Sequence, residues 1–315
     1  MPTSPARTTE LRGVEPRPET PRPETRVVQD RFEACVYRPG QIARCPARAP
    51  VSPLTPGQLD VLLNEGDQRV GPTVFRTECP FCQACEPVRV DVESFQPSRS
   101  QRRVLVRNAD LRVELGPPSM SRRRVALWNR HRRGRGLLTA YSRKDPVGYR
   151  EWLVESCAPT VEVRYLDGER LVALSVLDLG VSSANSAYHY FDPTEARRSL
   201  GVFSVLREIE LCASLGIRWY YLGLWAADAQ ALQYKSGYYP HERLVRGEWV
   251  RFTDRASDPA TADPTAYAEA ACPPRHPGLA VATLAPMLND VGDADCEGDP
   301  ESMTLRLDEG EDGED

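Results

Sequence analysis

Three cysteines fall at a spacing of three in Cys79-Pro-Phe-Cys82-Gln-Ala-Cys85, and a fourth, Cys35, lies upstream. Thiolates at such spacing are ligands for zinc or an iron–sulfur cluster, and three clustered sulfurs with one distant partner complete a tetrahedral set. Cys45 competes for the fourth place, and reduced thiols packed in a turn are the plain alternative. Cys157 and Cys212 stand in apolar, helix-like surroundings that suit core residues.

Other reactive side chains are sparse. The chain has four histidines, and no Ser-His-Asp triad assembles around them. His131 lies in an Arg-rich run and His276 in the tail, while His189 sits between Tyr188 and Tyr190 on a strand, where a satisfied sheet residue is the ordinary outcome. Lys235 is one of only two lysines in a chain that otherwise uses Arg, which suits a point charge rather than a bidentate fork. From Arg99 to Arg135, 12 arginines face only Asp110 and Glu114. Such a block is either the footprint of a polyanion or a solvated face. The formal charge of −5 hides this asymmetry: residues 253–315 carry −13, so the first 252 carry +8.

The elements that must position these residues have two textures. In the first, a helix opens at Thr55 with Pro56 behind it and carries Leu59, Leu62 and Leu63 on one face. Val88 to Val92 alternates apolar and polar residues, which predicts a half-buried strand. Ser98 to Asp110 reads as an Arg-rich helix or turn, and Ser119 to Gly136 as a basic helix ending at Gly134 or Gly136. From Thr160 the pattern is clearer. A strand, a tight turn at Asp167-Gly168, a second strand and a third closed by Asp192-Pro193 precede a helix capped by Ser199. That helix places residues 202, 205, 206, 209 and 213 on one face and stops at Gly216. A buried strand (RWYYLGLW), a short helix through Asp228 to Lys235 and a final hairpin (RLVRGEWVRF) complete an α/β (α+β) sheet domain.

At 315 residues with 41% hydrophobic and 27% charged side chains, the chain has room for one large or two ordinary domains. No apolar run approaches the roughly 18 residues of a spanning helix, and residues 1–30 lack a secretory h-region, so the expected place is the cytoplasm with no membrane partner. Composition divides the chain into a disordered Pro-rich arm (1–30), a cysteine-bearing domain (31–118), a basic helical connector (119–150), an α/β sheet domain (151–252) and an acidic disordered tail (253–315).

Seven ordered strings give this chain a family resemblance. They are Cys35-Val-Tyr37-Arg-Pro39-Gly40, the cysteine run, Phe95-Gln-Pro97-Ser98-Arg99-Ser100-Gln101-Arg102-Arg103 with Arg107-Asn108, Tyr190-Phe191-Asp192-Pro193, Ser199-Leu200-Gly201, Tyr221-Leu222-Gly223 and Tyr234-Lys235. In this order they resemble the aminoacyl-tRNA–protein transferases, in the spelling of the bacterial aspartate/glutamate leucyltransferases. Arg38 departs from the Leu common at its position, and Leu224 from an aromatic. The resemblance implies a GNAT-like acyltransferase core behind a cysteine-bearing N-terminal portion. It also implies transfer of leucine from the 3′ ester of Leu-tRNA to the α-amine of proteins beginning with Asp or Glu, which marks them for degradation. Cys35, Cys79, Cys82 and Cys85 would match the thiols that hold a metal or cluster in related arginyltransferases.

This chemistry needs no cofactor. The ester is already activated, and an α-amine with a pKa of about 7.7–8.0 is roughly a tenth free base at neutral pH, so alignment and oxyanion donors are the main requirements. Tyr190, Tyr221, Lys235 and backbone N–H groups near Ser199 to Gly201 are the expected contributors, with Asp192 orienting or weakly accepting a proton. An acidic acceptor calls for cations, with Arg197, Arg198 and Lys235 as candidates. Arg99, Arg102, Arg103 and Arg107 would meet tRNA phosphates. The alternatives are arginine as donor, an acetyl-CoA enzyme reading Arg198-Ser-Leu-Gly201-Val-Phe203 as a pyrophosphate loop, and a non-catalytic RNA-binding protein with a zinc ribbon.

Overall fold

A computed structural model describes residues 20–137 and 144–272, and the fold below is theirs. Its leading part is built of short strands, β1 (Thr25–Gln29), β2 (Phe32–Ala34), β3 (Ile42–Arg44) and β4 (Ala47–Pro50). Helix α1 (Pro56–Asn64) starts as its sequence predicts. The Thr55 hydroxyl accepts from the Gln58 N–H, the Gln58 side chain accepts from the Thr55 N–H, and Leu59, Leu62 and Leu63 form the buried face. β5 (Gln68–Val70) and β6 (Thr73–Phe75) complete a four-stranded sheet in the order β1-β4-β6-β5, while β2 and β3 pair separately.

The chain then enters its main sheet with β7 (Glu86–Asp91), followed by α2 (Arg99–Arg107), β8 (Arg112–Gly116), α3 (Arg122–Gly134) and the short α4 (Pro146–Tyr149). β9 (Thr160–Asp167) and β10 (Arg170–Leu179) turn at Gly168, whose φ of +57° is the conformation the turn requires. β11 (Ser183–Phe191), α5 (Leu200–Ser214), β12 (Trp219–Trp225), α6 (Gln230–Gln233), the β13–β14 hairpin (His241–Val245 and Glu248–Phe252) and α7 (Pro264–Ala271) complete the order. The eight-stranded sheet runs β14-β13-β7-β12-β11-β10-β9-β8. Its pairs are antiparallel except β11 with β12, which α5 joins as a crossover. Helices cover both faces. Val104 of α2, much of α5 and Ala268 of α7 share one core with Val88, Val172 and Tyr220. Alternation along β10 and β12 sends Leu174 and Val176 to α3 on the opposite face, and Tyr221 to α1.

Several expectations change here. The boundary at residue 118 is crossed by the sheet itself: β7 and β8 come from the cysteine-bearing part, and β7 hydrogen-bonds to β12 on one edge and β13 on the other. Val88 to Val92 is not half-buried. All six residues of β7 are buried, and its polar members are tied up in ion pairs, Arg89 with Glu242 and Asp91 with Arg251. The arm expected to be disordered over 1–30 contains β1, which pairs with β4, while residues 1–19 lie outside the described set. The tail expected to be disordered from 253 folds as far as Cys272: Ala260 and Ala268 join the main core and Asp258 pairs with buried Arg243. Its remainder, with His276, lies outside the described residues. Ser199 occupies the cap of α5 but with φ of +54° and no capping bond from its side chain. The buried face of α5 is centred on Val205, Ile209 and Cys212, with Val202 half-buried and Ala213 exposed. Cys157 is buried in a loop rather than a helix. Among the described residues, no helix is long and apolar enough to cross a membrane.

Candidate functional site

The one parallel pair in the sheet is brief. β11 and β12 match only at Ser183–Trp219, Ala184–Tyr220 and Asn185–Tyr221. Immediately beyond, each strand carries an extra residue, Ala187 in β11 against β10 and Leu222 in β12 against β7. Bulges bend a strand and end its pairing, so the two separate and open a cleft. Gly223 meets the positive φ (+78°) of the second bulge, and a Cβ there would stand 3.4 Å from Gln68 Oε1 and 3.5 Å from Lys235 Nζ. A cavity of about 170 Å³ occupies the opening, roofed by β5, β6 and Tyr37. Crevices where parallel strands part are the usual ligand sites of α/β sheets.

Polar atoms converge there with unused capacity. Arg69, buried in β5, donates from Nε to Asp178 Oδ1 (2.7 Å) and from Nη1 to the Gly71 carbonyl (3.0 Å). Asp178 also accepts from Thr160 Oγ1 (2.8 Å) and Asn185 Nδ2 (3.0 Å), so one carboxylate orients both Arg69 and Asn185. Arg69 Nη2, Asn185 Oδ1 and the Tyr188 hydroxyl are buried with no hydrogen-bond partner among the described residues, and all three residues line the cavity. Lys235 completes the set. Its buried Nζ donates to the Leu224 carbonyl (2.6 Å), burial lowers its pKa to about 8, and no carboxylate among the described residues pairs with it. Val70, Phe75, Leu222 and Leu224 form the apolar walls.

Of the catalytic, binding and metal candidates named from sequence, Lys235 alone lines this cleft, joined there by Tyr37, Leu222, Gly223 and Leu224 from or beside the strings that carry the family resemblance. Tyr190 is fully buried between α3 and α4, its hydroxyl 2.6 Å from that of Tyr149 and its ring edge-on to Trp128, so it is a core residue. Tyr221 is buried below α1, where its hydroxyl accepts from Arg89 Nη1 (3.0 Å). Asp192 caps the turn after β11, accepting from the Thr194 N–H and hydroxyl, with Arg130 3.4 Å away. Arg198 is held by Asp110 through two bonds (2.9 and 2.8 Å) and by Glu195 (3.1 Å), which leaves no free fork for a carboxylate. Arg197 is exposed, and its carbonyl accepts from Arg107 Nη1 (2.7 Å). Ser199 and Gly201 begin α5 outside the cleft. Arg99, Arg102, Arg103 and Arg107 are exposed along α2, none paired with a carboxylate among the described residues. His189 bridges Ser175 (2.9 Å) and Ser204 (3.4 Å), and burial lowers its pKa to about 3, so it is a neutral sheet residue.

The cysteines divide into two groups. The Cys45 thiol donates to Cys79, which lowers the Cys79 pKa to about 6 and raises that of Cys45. Cys35 and Cys85 lie within the electrostatic reach of this pair, and burial with the neighbouring thiols pushes Cys85 up to about 12. Thiols that disfavour one another's ionisation are a donor set a thiophilic cation would relieve. Cys82, expected among the ligands, instead meets Cys272 at the end of α7, and Arg38 Nη1 lies 3.6 Å from its sulfur. As placed, no three such side chains among the described residues form a closed coordination shell. Arg38, which departs from the family's spelling, joins three elements by pairing with Asp228 (2.9 Å) and donating to the Ala268 carbonyl (3.3 Å).

Arg69, Asn185 and Tyr188 were not found from sequence, because a cleft residue set made by convergence of β5 with β11 leaves no local spacing. Glycine within the strand pattern at Gly223 was the one available signal for a bulge.

Comparison with known proteins places these elements. Residues 33–103 match the family described as arginine-tRNA-protein transferase, N terminus, and residues 123–245 its C terminus. The chain is 35% identical to the aspartate/glutamate leucyltransferase of Thiobacillus denitrificans over 68% of this chain and 90% of that one. It is 34% identical to that of Chromobacterium violaceum (68% and 89%) and 33% to that of Halorhodospira halophila (68% and 92%). Among solved structures, L-PGS from Bacillus licheniformis is similar over 53% of this chain and 50% of that one, at 13% identity and a TM-score of 0.34, too distant to bear on the fold. The chain belongs to the aminoacyl-tRNA–protein transferase family, with the aspartate/glutamate leucyltransferases among its relatives.

Proposed function

We propose that this chain transfers leucine from Leu-tRNA to the N-terminal α-amine of proteins beginning with Asp or Glu, and that it does so in the cleft between β11 and β12. The observation that carries the site assignment is Lys235, a buried ammonium without a counterion among the described residues, facing the same cavity as three unpartnered polar atoms. A buried charge in want of a partner is costly, and the acceptor's side-chain carboxylate supplies one. Lys235 then selects Asp and Glu over neutral residues. Arg69 Nη2 and the Tyr188 hydroxyl are donors for the oxyanion that forms as the amine attacks the ester carbonyl, and Asn185 Oδ1 accepts from an amine N–H.

The donor's leucine side chain fits the walls formed by Val70, Phe75, Leu222 and Leu224. No Asp or Glu lines the cavity among the described residues, which favours leucine over arginine as donor. The exposed arginines of α2 suit the tRNA phosphates. The β11–α5–β12 crossover with its parting strands supports a GNAT-like core. An acetyl-CoA reading has less in its favour, since Arg198 is committed to Asp110 and Glu195 and Phe203 is packed against Tyr165. Cys35, Cys45, Cys79 and Cys85 stand within electrostatic reach of one another outside the cleft, but as placed they do not fit a zinc or iron–sulfur site, and no step of the transfer runs through one.

The test supplies purified protein with labelled Leu-tRNA or Arg-tRNA and peptides beginning with Asp, Glu or Ala. Label from Leu-tRNA should enter the Asp and Glu peptides only. Transfer from Arg-tRNA alone would overturn the donor, and equal transfer to the Ala peptide would overturn the role of Lys235.

A further inference from the structure

Below the parting strands lies a second unmatched charge that the reading above does not use. Glu208, on the sheet-facing side of α5, is 1% exposed, and no cation pairs with it among the described residues. Hydroxyls surround it instead. Tyr165 donates to Oε1 (3.2 Å) and Tyr220 to Oε2, while the Ser175 and Ser186 hydroxyls lie on the same side of the sheet, within electrostatic reach of the carboxylate. Ser186 is the informative member, because it lines the cleft on the other side. The extra residue at Ala187 explains this double aspect. Beyond the bulge, Tyr188 and Tyr190 turn toward α3, whereas before it Ala184 and Ser186 turn toward α5.

The substrate poses a matching problem. An α-amine with a pKa of about 7.7–8.0 is mostly ammonium at neutral pH, and only the free base attacks an ester. Resting on the transferase function proposed above, we infer that Glu208, acting through the Ser186 hydroxyl, takes the proton of the acceptor's α-ammonium. Ser186 accepts one ammonium proton as it passes its own to the carboxylate. The freed lone pair forms the C–N bond to the ester carbonyl, and the C–O bond to the tRNA 3′ oxygen breaks as the intermediate collapses. The second nitrogen proton goes to that oxygen. The proton on Glu208 returns through Ser186 to solvent once product leaves. Ser186 touches substrate, and Glu208 is a positioning residue that works through it.

The surroundings suit a weak base. Burial raises the Glu208 pKa, against the hydroxyls that favour its charged form. Around it stand Tyr165 from β9, Ser175 from β10, Ser186 and neutral His189 from β11, Tyr220 from β12, Cys212 and the more distant Arg207 from α5, and Tyr234 and Tyr238 after α6.

The test follows Leu transfer to an Asp peptide between pH 6.5 and 8.5 in the wild type, Ser186→Ala and Glu208→Gln. Both variants should lose about tenfold in kcat/KM at pH 7 and recover toward wild type at pH 8.5, where the amine deprotonates unaided. Tyr220→Phe should shift the acid limb to higher pH, because it removes a donor to the charged carboxylate. A Ser186→Ala enzyme with wild-type activity throughout would overturn the relay, as would a loss in both variants that is equal at every pH. Failure of the wild type to transfer from any charged tRNA would instead overturn the function itself.

Discussion

Arg243 and Lys235 are both cations buried near the C-terminal end of the main sheet, yet they are treated in opposite ways. Arg243 pairs with Asp258 (2.5 Å) and Glu86 (3.4 Å) and lies against the rings of Trp225 (3.9 Å) and Phe252 (4.1 Å). Glu86 in turn accepts from the Tyr267 hydroxyl (2.8 Å). These contacts bind β7, β13 and the segment leading into α7 into one unit. Lys235 donates to a carbonyl and faces the cavity. Unmatched charge is costly in a stable interior, and this contrast is the ground on which Lys235 is proposed as the acceptor's contact.

The contrast can be broken at either residue. Arg243→Met should cost about 3–5 kcal/mol of stability in denaturant unfolding, because Glu86 and Asp258 would stay buried without their cation. A change within about 0.5 kcal/mol, the range of ordinary surface substitutions, would mean that the ion cluster is incidental. Lys235→Met should leave stability unchanged or higher, since it removes a buried charge that nothing balances. Its effect falls on the acceptor: kcat/KM for Asp and Glu peptides should drop about thirtyfold or more, the equivalent of roughly 2 kcal/mol, with KM for Leu-tRNA unaltered. The wild-type KM for these peptides should also rise as pH passes about 8, because Lys235 is charged below that value and neutral above it. Lys235→Arg should keep KM flat there. Loss of tRNA affinity in Lys235→Met would move the residue out of the acceptor pocket. The smallest effect belongs to α2: Arg102→Ala with Arg103→Ala should reduce the slope of log affinity against log salt by about 0.7–0.9 per arginine, at little cost in stability. An unchanged slope would place the tRNA elsewhere.

Much of the second half was legible because its signals are local. The turns at Asp167-Gly168 and Asp192-Pro193, the apolar run of β10 and the apolar stripe of α5 are each read within a few residues. β7 deceived for the same reason. Its alternation promised a wet face, but the partners that neutralise Arg89 and Asp91 lie some 150 residues away at Glu242 and Arg251. The segment from Asp254 to Cys272 has the composition of a solvated tail, and long-range contacts explain why it folds: Asp258 with Arg243, Tyr267 with Glu86, and Ala260 and Ala268 in the main core. At the site, the rarity of lysine drew attention to Lys235, which lines the cleft. The string containing Tyr190 did not, since its prominent aromatic serves the core below α3. Arg69 was silent, being one arginine among many until β5 is laid over the cleft.

The place of β7 also bears on how the chain is made. Its two neighbours in the sheet begin at Trp219 and His241, so the strand emerges from the ribosome well over a hundred residues before either edge can be satisfied. At about 5–20 residues per second, it waits several seconds or more as an unpaired strand. The cysteine loop just before it waits as well, since Gln83 is anchored only when Ala271 arrives to accept its N–H (2.9 Å). Cys79, Cys82 and Cys85 are thus open to metal, oxidant or chaperone while about 190 further residues are made, and whatever they capture is enclosed only when Ala271 arrives.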